Sequence, residues 1–165
     1  MLEIGAGTGL SLPHYPGAAR LTLLEPSPAM RQRLQAKHPE AQVVDGVAEA
    51  LPFPDAAFDA VVSGLVLCSV DDLAGALQEV LRVLRPGGRF VFIEHVASRR
   101  AGWHTAQRMV EPAWKVVAAG CHLTRDTEQA LVDAGFELEH LDRSDLPGGA
   151  AVVRDAIHGV ARKPA

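Results

Sequence analysis

A glycine run near the start of the chain, residues 3–9 (EIGAGTG), constrains the fold more than any other feature. Gly5, Gly7 and Gly9 occupy alternate positions after a short apolar segment, and this pattern predicts a strand that turns tightly into a helix. Because glycine has no Cβ, such a turn lets the backbone approach a ligand closely. The run therefore predicts a binding site at the carboxyl end of a short first strand.

Strand and helix patterns alternate along the whole chain of 165 residues. Seven segments are predicted to be strands, at residues 1–4, 20–25, 41–45, 60–67, 89–95, 136–141 and 151–160. Four helices are predicted between them: one capped by Ser27, one that Asp71 or Asp72 caps and 86–88 (PGG) stops, one across 103–120 with a bend or break at Pro112, and one across 124–134 capped by Thr124.

This alternation determines the predicted fold class. Strands that alternate with helices form a parallel sheet with helices on both faces. Only a short connection joins the last two strands, so they are expected to pair antiparallel. The sequence thus predicts an α/β fold, a doubly wound and mostly parallel seven-stranded sheet with an antiparallel last strand, in a single domain spanning residues 1–165.

Composition and charge argue against several functions. A net charge of −4 offers no basic surface for nucleic acid. The longest apolar run, 60–70, is about half as long as a bilayer span, and no basic leader precedes the first strand. Cys68 and Cys121 lack metal-ligand spacing, so we expect two reduced, buried thiols and no metal site. The expected compartment is the cytoplasm.

Two acidic residues indicate which ligand the glycine run binds. The dinucleotide fingerprint requires a glycine where this chain has Leu10, so an NAD-dependent reductase is a distant alternative. Glu25, at the end of the second strand, suits the ribose hydroxyls of any adenosine cofactor. The Glu3 carboxylate would repel a pyrophosphate but suits a ligand that carries an ammonium and a sulfonium. S-adenosylmethionine is such a ligand.

At this point the chain resembles the class I S-adenosylmethionine-dependent methyltransferases, of the type 11 domain. The resemblance rests on four segments in order: LEIGAGTG, EPSPAM, AEALPFPDAAFDAVVS and LQEVLRVLRPGGRFVFIEH. It implies that the glycine turn holds the methionine end of the cofactor, the second-strand acid the ribose, the backbone after the third strand the adenine, and the loop after the fourth strand the methyl group. The residues so implicated are Glu3, Gly5, Ala6, Gly7, Gly9, Glu25, Pro26, Met30, Val47, Ala48, Gly64 and Leu65.

Further segments resemble one subfamily, the methyltransferase-like thiol S-methyltransferases. These segments are LVLCSV, FIEHV, EPAWK, GCHLTRDT and the closing IHGVARK. The implied reaction is a direct in-line transfer of the methyl group to a small-molecule acceptor, and the subfamily resemblance points to an alkyl thiol. Quinone and phospholipid-headgroup methyltransferases share most of the same frame, and a non-catalytic or partner-dependent cofactor-binding protein is the alternative from another class.

Two histidines are the candidate catalytic residues. His95 ends the fifth strand, at the edge where such sheets bind ligands, and His122 lies in a segment that can fold over the same edge. Since a thiol reacts as its thiolate, a nearby imidazole would help to remove the proton. Each histidine has an alternative interpretation, as a hydrogen-bonded side chain that positions a loop.

The first predicted strand begins at Met1, whereas relatives in the resembled family carry one or two helices before it. Those helices help to cover the cofactor and one face of the sheet, and a parallel sheet needs cover on both faces. We therefore expect one apolar face to lack its amino-terminal cover and the chain to self-associate through that side.

Overall fold

The computed structural model, which describes residues 1–15, 17, 20–148 and 150–165, contains one seven-stranded sheet flanked by helices. The strands are β1 (Leu2–Ile4), β2 (Thr22–Leu24), β3 (Gln42–Val44), β4 (Phe58–Gly64), β5 (Leu84–His95), β6 (Glu137–Asp145) and β7 (Asp155–Arg162). The helices are α1 (Pro28–Lys37), α2 (Leu73–Val83), α3 (Trp103–Val117) and α4 (Thr127–Ala134), with short 3-10 turns at Leu12–His14 and Ala151–Val153.

The strand order is β3-β2-β1-β4-β5-β7-β6. The first five strands run parallel, while β7 pairs antiparallel with both β5 and β6. The predicted fold class, a mostly parallel seven-stranded sheet with an antiparallel last strand, is confirmed. The order reverses between β1 and β4, so the carboxyl ends of these strands frame a ligand crevice.

Helix starts follow local capping chemistry. Ser27 caps α1 by accepting from the Met30 amide, with Pro28 in the first helical position, as predicted. Asp72 caps α2 through the Gly75 amide at 3.0 Å. The predicted cap at Thr124 is wrong: Asp126 caps α4, because the Thr124 hydroxyl instead donates to Glu111.

Other features differ from the prediction as well: α2 ends at Val83, so the 86–88 segment predicted to stop it lies inside β5. Helix α3 runs unbroken through Pro112, because Pro112 and Arg108 are both exposed and water can take the backbone bond that proline forfeits. Strand β4 ends at Gly64, since Leu65 adopts φ +60° and turns the chain. Residues Ala151–Val153 form a 3-10 turn, which delays the last strand to Asp155. The glycine run leads into another 3-10 turn and not an α-helix.

The two faces of the sheet differ in cover. On one side, which we call the sealed face, α2 and α4 bury a continuous apolar cluster that includes Phe90, Phe92 and Leu131. On the other side, Leu34 of α1 covers Leu23 of β2. The remaining part of that second side, which we call the open face, carries Val62, Val91, Ile93, His158 and Val160 and lines a groove of about 410 Å³.

None of the helices within the described residues has both the length and the apolar character that crossing a membrane requires.

Candidate active site

The three glycines of the run adopt the left-handed conformation, with φ of +63° at Gly5, +56° at Gly7 and +80° at Gly9. A Cβ on Gly5 would lie 2.4 Å from the Val66 side chain, and a Cβ on Gly9 would lie 2.4 Å from Leu34. A Cβ on Gly7 would meet no atom within 4 Å among the described residues. Gly5 and Gly9 are therefore required by packing, while the turn opens at Gly7 on the side available to a ligand.

Glu3 places a buried carboxylate in β1, immediately before this turn. Its Oε2 has no hydrogen-bond partner among the residues that the structure describes. Burial raises the pKa of the Glu3 carboxyl, and the nearby Ser11 and Tyr15 hydroxyls oppose that shift. A cationic group of a ligand would supply the missing partner and favour the ionised form.

Glu25 joins the glycine turn to the second strand. Its carboxylate is buried and accepts from the Gly7 amide at 2.8 Å and from the Ser27 amide at 2.9 Å. Each carboxylate oxygen accepts more than one bond, so both retain capacity for hydroxyl donors. Pro26 and Met30, predicted beside the adenosine, are both exposed next to this acid.

The remaining predicted cofactor residues lie on two loops and on the inner side of the turn. Val47 is exposed and forms an isolated bridge with Ala50, while Ala48 belongs to the buried core. Ala6 is buried, and its amide donates to the Leu24 carbonyl at 3.0 Å. Gly64 and Leu65 end β4 in an exposed turn.

The loop after β4, residues 65–70, is held by a buried acid that the sequence analysis missed. Glu94 accepts from the Ser63 hydroxyl at 2.6 Å, the Val66 amide at 3.1 Å and the Cys68 amide at 3.3 Å. Burial raises the pKa of the Glu94 carboxyl, and these hydrogen bonds oppose the shift. The available signal was an acidic residue inside an apolar strand, FIEH, which must find donors when buried.

A second clamp holds this loop from the other side. The Arg125 guanidinium donates to the carbonyls of Leu67 and Val70, and the His122 amide donates to the Cys68 carbonyl at 2.7 Å. The segment after α3 therefore folds over the carboxyl edge of the sheet.

This fold-over assembles a cluster of Cys68, His95 and Cys121. All three side chains are buried, and one ligand atom from each lies within 4.8 Å of the others. Cys121 Sγ is 3.6 Å from His95 Nδ1. The neighbouring Cys68 thiol, and then His95, lower the pKa of the Cys121 thiol, while the same proximity and burial raise the pKa of Cys68. The cysteines are free and buried as predicted, but they are not isolated from each other.

The cluster borders a cavity of about 420 Å³ at the carboxyl edge. Apart from the cluster and Ser69, its lining is Leu65, Ala118, Leu146, Pro147, Gly148 and Val153. Because Val66 of the loop 65–70 packs against Gly5 while Leu65 and Cys68 line the cavity, this loop lies between the cavity and the glycine turn. A cavity of this size holds a small molecule.

The two predicted histidines occupy different surroundings. His95 belongs to the cysteine cluster, whereas His122 Nδ1 lies 3.6 Å from Glu111 Oε1 on α3. Burial, then the positive charges of Arg125 and Lys115, lower the pKa of His122. Sequence spacing gave no sign of the cysteine cluster, because its members come from three separate segments.

These groups suit S-adenosylmethionine. The unpaired Glu3 oxygen is an acceptor for an ammonium, the turn at Gly7 is open, and Glu25 is a buried acceptor for vicinal hydroxyls. The glycine run leads into a 3-10 turn and not into an α-helix, so the helix N-terminus that holds a pyrophosphate in dinucleotide sites does not follow this turn.

Comparison with known proteins identifies the domain family. The methyltransferase domain family model matches residues 2–92. The Homo sapiens protein thiol S-methyltransferase TMT1A is 37% identical over 99% of this chain, which spans 70% of that protein. Thiol S-methyltransferase TMT1B of Homo sapiens is 39% identical over 89% of this chain, which spans only 64% of that relative's length. A solved S-adenosylmethionine-dependent methyltransferase of Methanosarcina mazei superposes with a TM-score of 0.81 over 99% of this chain and 91% of its own, at 19% identity.

Proposed function

The chain belongs to the methyltransferase domain family, and from that premise we propose that it transfers the methyl group of S-adenosylmethionine to the sulfur of a small alkyl thiol. One observation carries the choice of acceptor. The family model ends at residue 92, yet similarity to a thiol S-methyltransferase continues over 99% of the chain. The residues beyond 92 supply most of the cavity lining, and the lining is where an acceptor would be chosen.

The cofactor site is proposed residue by residue. Glu3 pairs with the ammonium, the turn from Gly5 to Gly9 holds the methionine end, and Glu25 accepts from the ribose hydroxyls. Val47 and Ala48 border the adenine, and Gly64 and Leu65 border the methyl group. Bound S-adenosylmethionine supplies an activated methyl group on a sulfonium.

The protein's own contribution is mainly to position the reacting groups and to exclude water from them. The loop 65–70 is held by Glu94 on one side and Arg125 on the other, so the apolar cavity wall keeps its place beside the reacting atoms. Excluding water prevents solvation of the acceptor sulfur and strengthens its attack. Of the two candidate histidines, His95 lines the cavity and is proposed to orient the acceptor, whereas His122 supports the segment that closes over it.

Calorimetry tests the cofactor assignment. We expect S-adenosylmethionine and S-adenosylhomocysteine to bind and NAD not to bind. Glu25→Ala removes two acceptors for charge-assisted hydrogen bonds, so affinity for S-adenosylhomocysteine should fall by about 1.5–3 kcal/mol, or about 10- to 150-fold. Glu40→Ala is the matched control because that acid is on the surface. Unchanged affinity in folded Glu25→Ala would contradict the ribose role.

A pair of glycine variants tests the turn. Gly7→Val and Gly87→Val impose similar strain, since φ is +56° and +73° and neither Cβ meets an atom within 4 Å among the described residues. Only Gly7 belongs to the proposed site. We therefore expect Gly7→Val to lose cofactor affinity and Gly87→Val to retain it, with folding monitored by circular dichroism.

Mass spectrometry of the methylated product tests the acceptor. We expect a small alkyl thiol to be methylated in preference to a demethylated quinone or a phospholipid headgroup. Product from either of those two acceptors alone would overturn the choice of thiol. Cofactor binding with no product from any of the three would favour the non-catalytic alternative.

The remaining proposals concern the location of the protein in the cell and its binding partners. We propose a cytoplasmic location, which cell fractionation tests, and no binding to nucleic acid, given the net charge of −4. Self-association through the open face is proposed as well and is developed below.

A further inference from the structure

We propose that Cys68, His95 and Cys121 form a zinc site whose fourth position faces the cavity, and that the acceptor thiol occupies that position as a thiolate. The metal site is independent of the proposed function. The identity of the fourth ligand, the acceptor thiol, rests on the proposed function.

The distances suit a single ion. Zinc lies about 2.3 Å from a thiolate sulfur and about 2.0 Å from an imidazole nitrogen, which in a tetrahedron separates sulfur from nitrogen by about 3.6 Å and two sulfurs by about 3.8 Å. The observed separation of Cys121 Sγ and His95 Nδ1 is 3.6 Å, and no pair in the cluster exceeds 4.8 Å. Closing the widest separation requires a shift of about 1 Å or less, within reach of side-chain rotation.

The donor set selects the kind of metal. Two thiolates and an imidazole are soft or borderline ligands, which favour zinc over magnesium or calcium. No carboxylate belongs to the cluster among the described residues. His95 is almost wholly buried, and its Nδ1, the nitrogen that faces the cluster, meets only the Cys121 sulfur. A thiol is a weak partner for a buried imidazole, and a metal ion would be a strong one.

The ligands are held in place before a metal binds. The Cys68 amide donates to Glu94 and the Cys68 carbonyl accepts from the His122 amide, so both sides of this residue are fixed. His95 ends β5 within its pairing with β7, and the Cys121 amide donates to the Ala118 carbonyl. Because three rigid segments supply one ligand each, the cost of ordering the site is already met by the fold.

The site is open on one side. All three ligands border the 420 Å³ cavity, and three protein ligands with a vacant fourth position are the pattern of catalytic zinc sites. Structural zinc sites instead have four protein ligands. The rest of the wall is largely apolar, which suits the carbon chain of an alkyl thiol.

The chemistry balances without any further reagent. On binding at the fourth position the acceptor thiol releases its proton to solvent, because the metal lowers the pKa of a coordinated thiol. The sulfur lone pair then forms a bond to the methyl carbon, and the carbon–sulfonium bond breaks with its electron pair returning to the cofactor sulfur. The thioether product is a neutral, weaker ligand and leaves.

Metal content provides the first test. The reduced 165-residue chain, freed of metal by dialysis against a chelator, is titrated with Zn²⁺ in competition with a chromophoric chelator. We expect one equivalent to bind, and Cys68→Ser, Cys121→Ser and His95→Ala each to weaken binding by at least 100-fold. His158→Ala is the control, since His158 lies on the open face away from the cluster. The metal site is overturned if the protein does not bind Zn²⁺ or if the cysteine variants bind it equally well. It is also overturned if the only binding is weak, multiple and adventitious.

Cobalt substitution tests the open position. Co²⁺ in the site should give thiolate charge-transfer bands that Cys121→Ser loses and that ethanethiol perturbs. If ethanethiol leaves the bands unchanged, the proposed role of the fourth position is overturned, but the metal site itself is not. A disulfide between Cys68 and Cys121 that persists under reductant and excludes metal would overturn both.

Methyl transfer separates this proposal from the proposed function. Thiol methylation at full rate by metal-free protein overturns the zinc role and leaves the function intact. Zinc binding without thiol methylation overturns the acceptor and leaves the metal site intact. Loss of methylation in metal-free protein, with unchanged affinity for S-adenosylhomocysteine and rescue by Zn²⁺, supports both.

Discussion

The two faces of β5 are built from alternate residues of one strand, and they differ sharply in environment. Phe90 and Phe92 are buried against α2 and α4, whereas Val91 and Ile93, which alternate with them, are each 39% exposed. The strand therefore carries apolar side chains on both sides, as a central parallel strand does. Only the sealed face has helices in the described residues to bury them.

The same contrast separates two buried acids. Glu94 lies among the sealed-face positions of β5, and its carboxylate accepts one side-chain and two backbone hydrogen bonds. Glu3 lies among the open-face positions of β1 and keeps an oxygen without a partner among the described residues. A carboxylate whose donors are all internal supports structure, while one with a vacant oxygen beside a cleft is available to a ligand. The sealed face thus stabilises the fold, and the open face borders the proposed binding site.

The largest expected contrast is in packing. Phe90→Ala removes a ring that is fully buried between Phe92 and Phe136, so the free energy of unfolding should fall by about 3–5 kcal/mol. Val91→Ala, one residue away on the open face, should cost less than about 1 kcal/mol, since its side chain is already partly in water. Urea unfolding of both variants measures the difference. Similar losses would mean that another surface covers Val91 in solution.

The next contrast concerns the buried acid of the sealed face. Glu94→Gln keeps the shape but turns one acceptor into a donor, so either the Cys68 amide or the Val66 amide loses its partner. We expect a loss of about 1–3 kcal/mol in the free energy of unfolding and weaker cofactor binding, because the loop 65–70 loses an anchor. Glu137→Gln, on the exposed edge strand β6, is the control. If both variants behave alike, Glu94 does not hold the loop.

Sequence patterns predicted the local structure well. They predicted poorly which side chains the fold brings together from distant segments. The Ser27 cap and the short link before β7 are decided by neighbouring residues, so both were predictable. The pairing of Glu94 with Ser63 and the meeting of Cys68 with Cys121 depend on how distant segments stack at one sheet edge. Pro112 shows the converse case, since a strong local signal for a break was overridden where water could replace the lost bond.

Self-association through the open face stays a prediction. If two copies bury Val91 and Ile93 against each other, Ile93→Glu should raise the dimer dissociation constant at least tenfold, because a carboxylate would have to be buried at the contact. Its effect on the unfolding of the monomer should be small, since the position is partly exposed. Sedimentation equilibrium of wild type, Ile93→Glu and the control Val132→Glu, which places the same charge at an exposed apolar position of α4 on the sealed side, measures the change. A wild-type chain that remains monomeric at high concentration contradicts the expectation.

The smallest expected contrast is electrostatic and depends on pH. Glu79 of α2, at the edge of the sealed face, accepts from the Arg82 guanidinium and from the Leu51 amide, and these contacts hold the pKa of its carboxyl below the usual value. A lowered folded-state pKa stabilises the protein above the ordinary glutamate pKa of about 4.3, and that stabilisation disappears as pH falls through the folded-state pKa. Glu79→Gln should therefore cost about 0.5–1 kcal/mol at pH 7 and progressively less as the pH falls through the folded-state pKa of Glu79. Glu139, paired with Arg89 on the strands β5 and β6, also has a lowered pKa, but solvent and salt screen this pair. Urea unfolding of the two variants at pH 7 and pH 3 in moderate salt compares them. An equal, pH-dependent loss in Glu139→Gln would show that the open side is as well covered in solution as the sealed one.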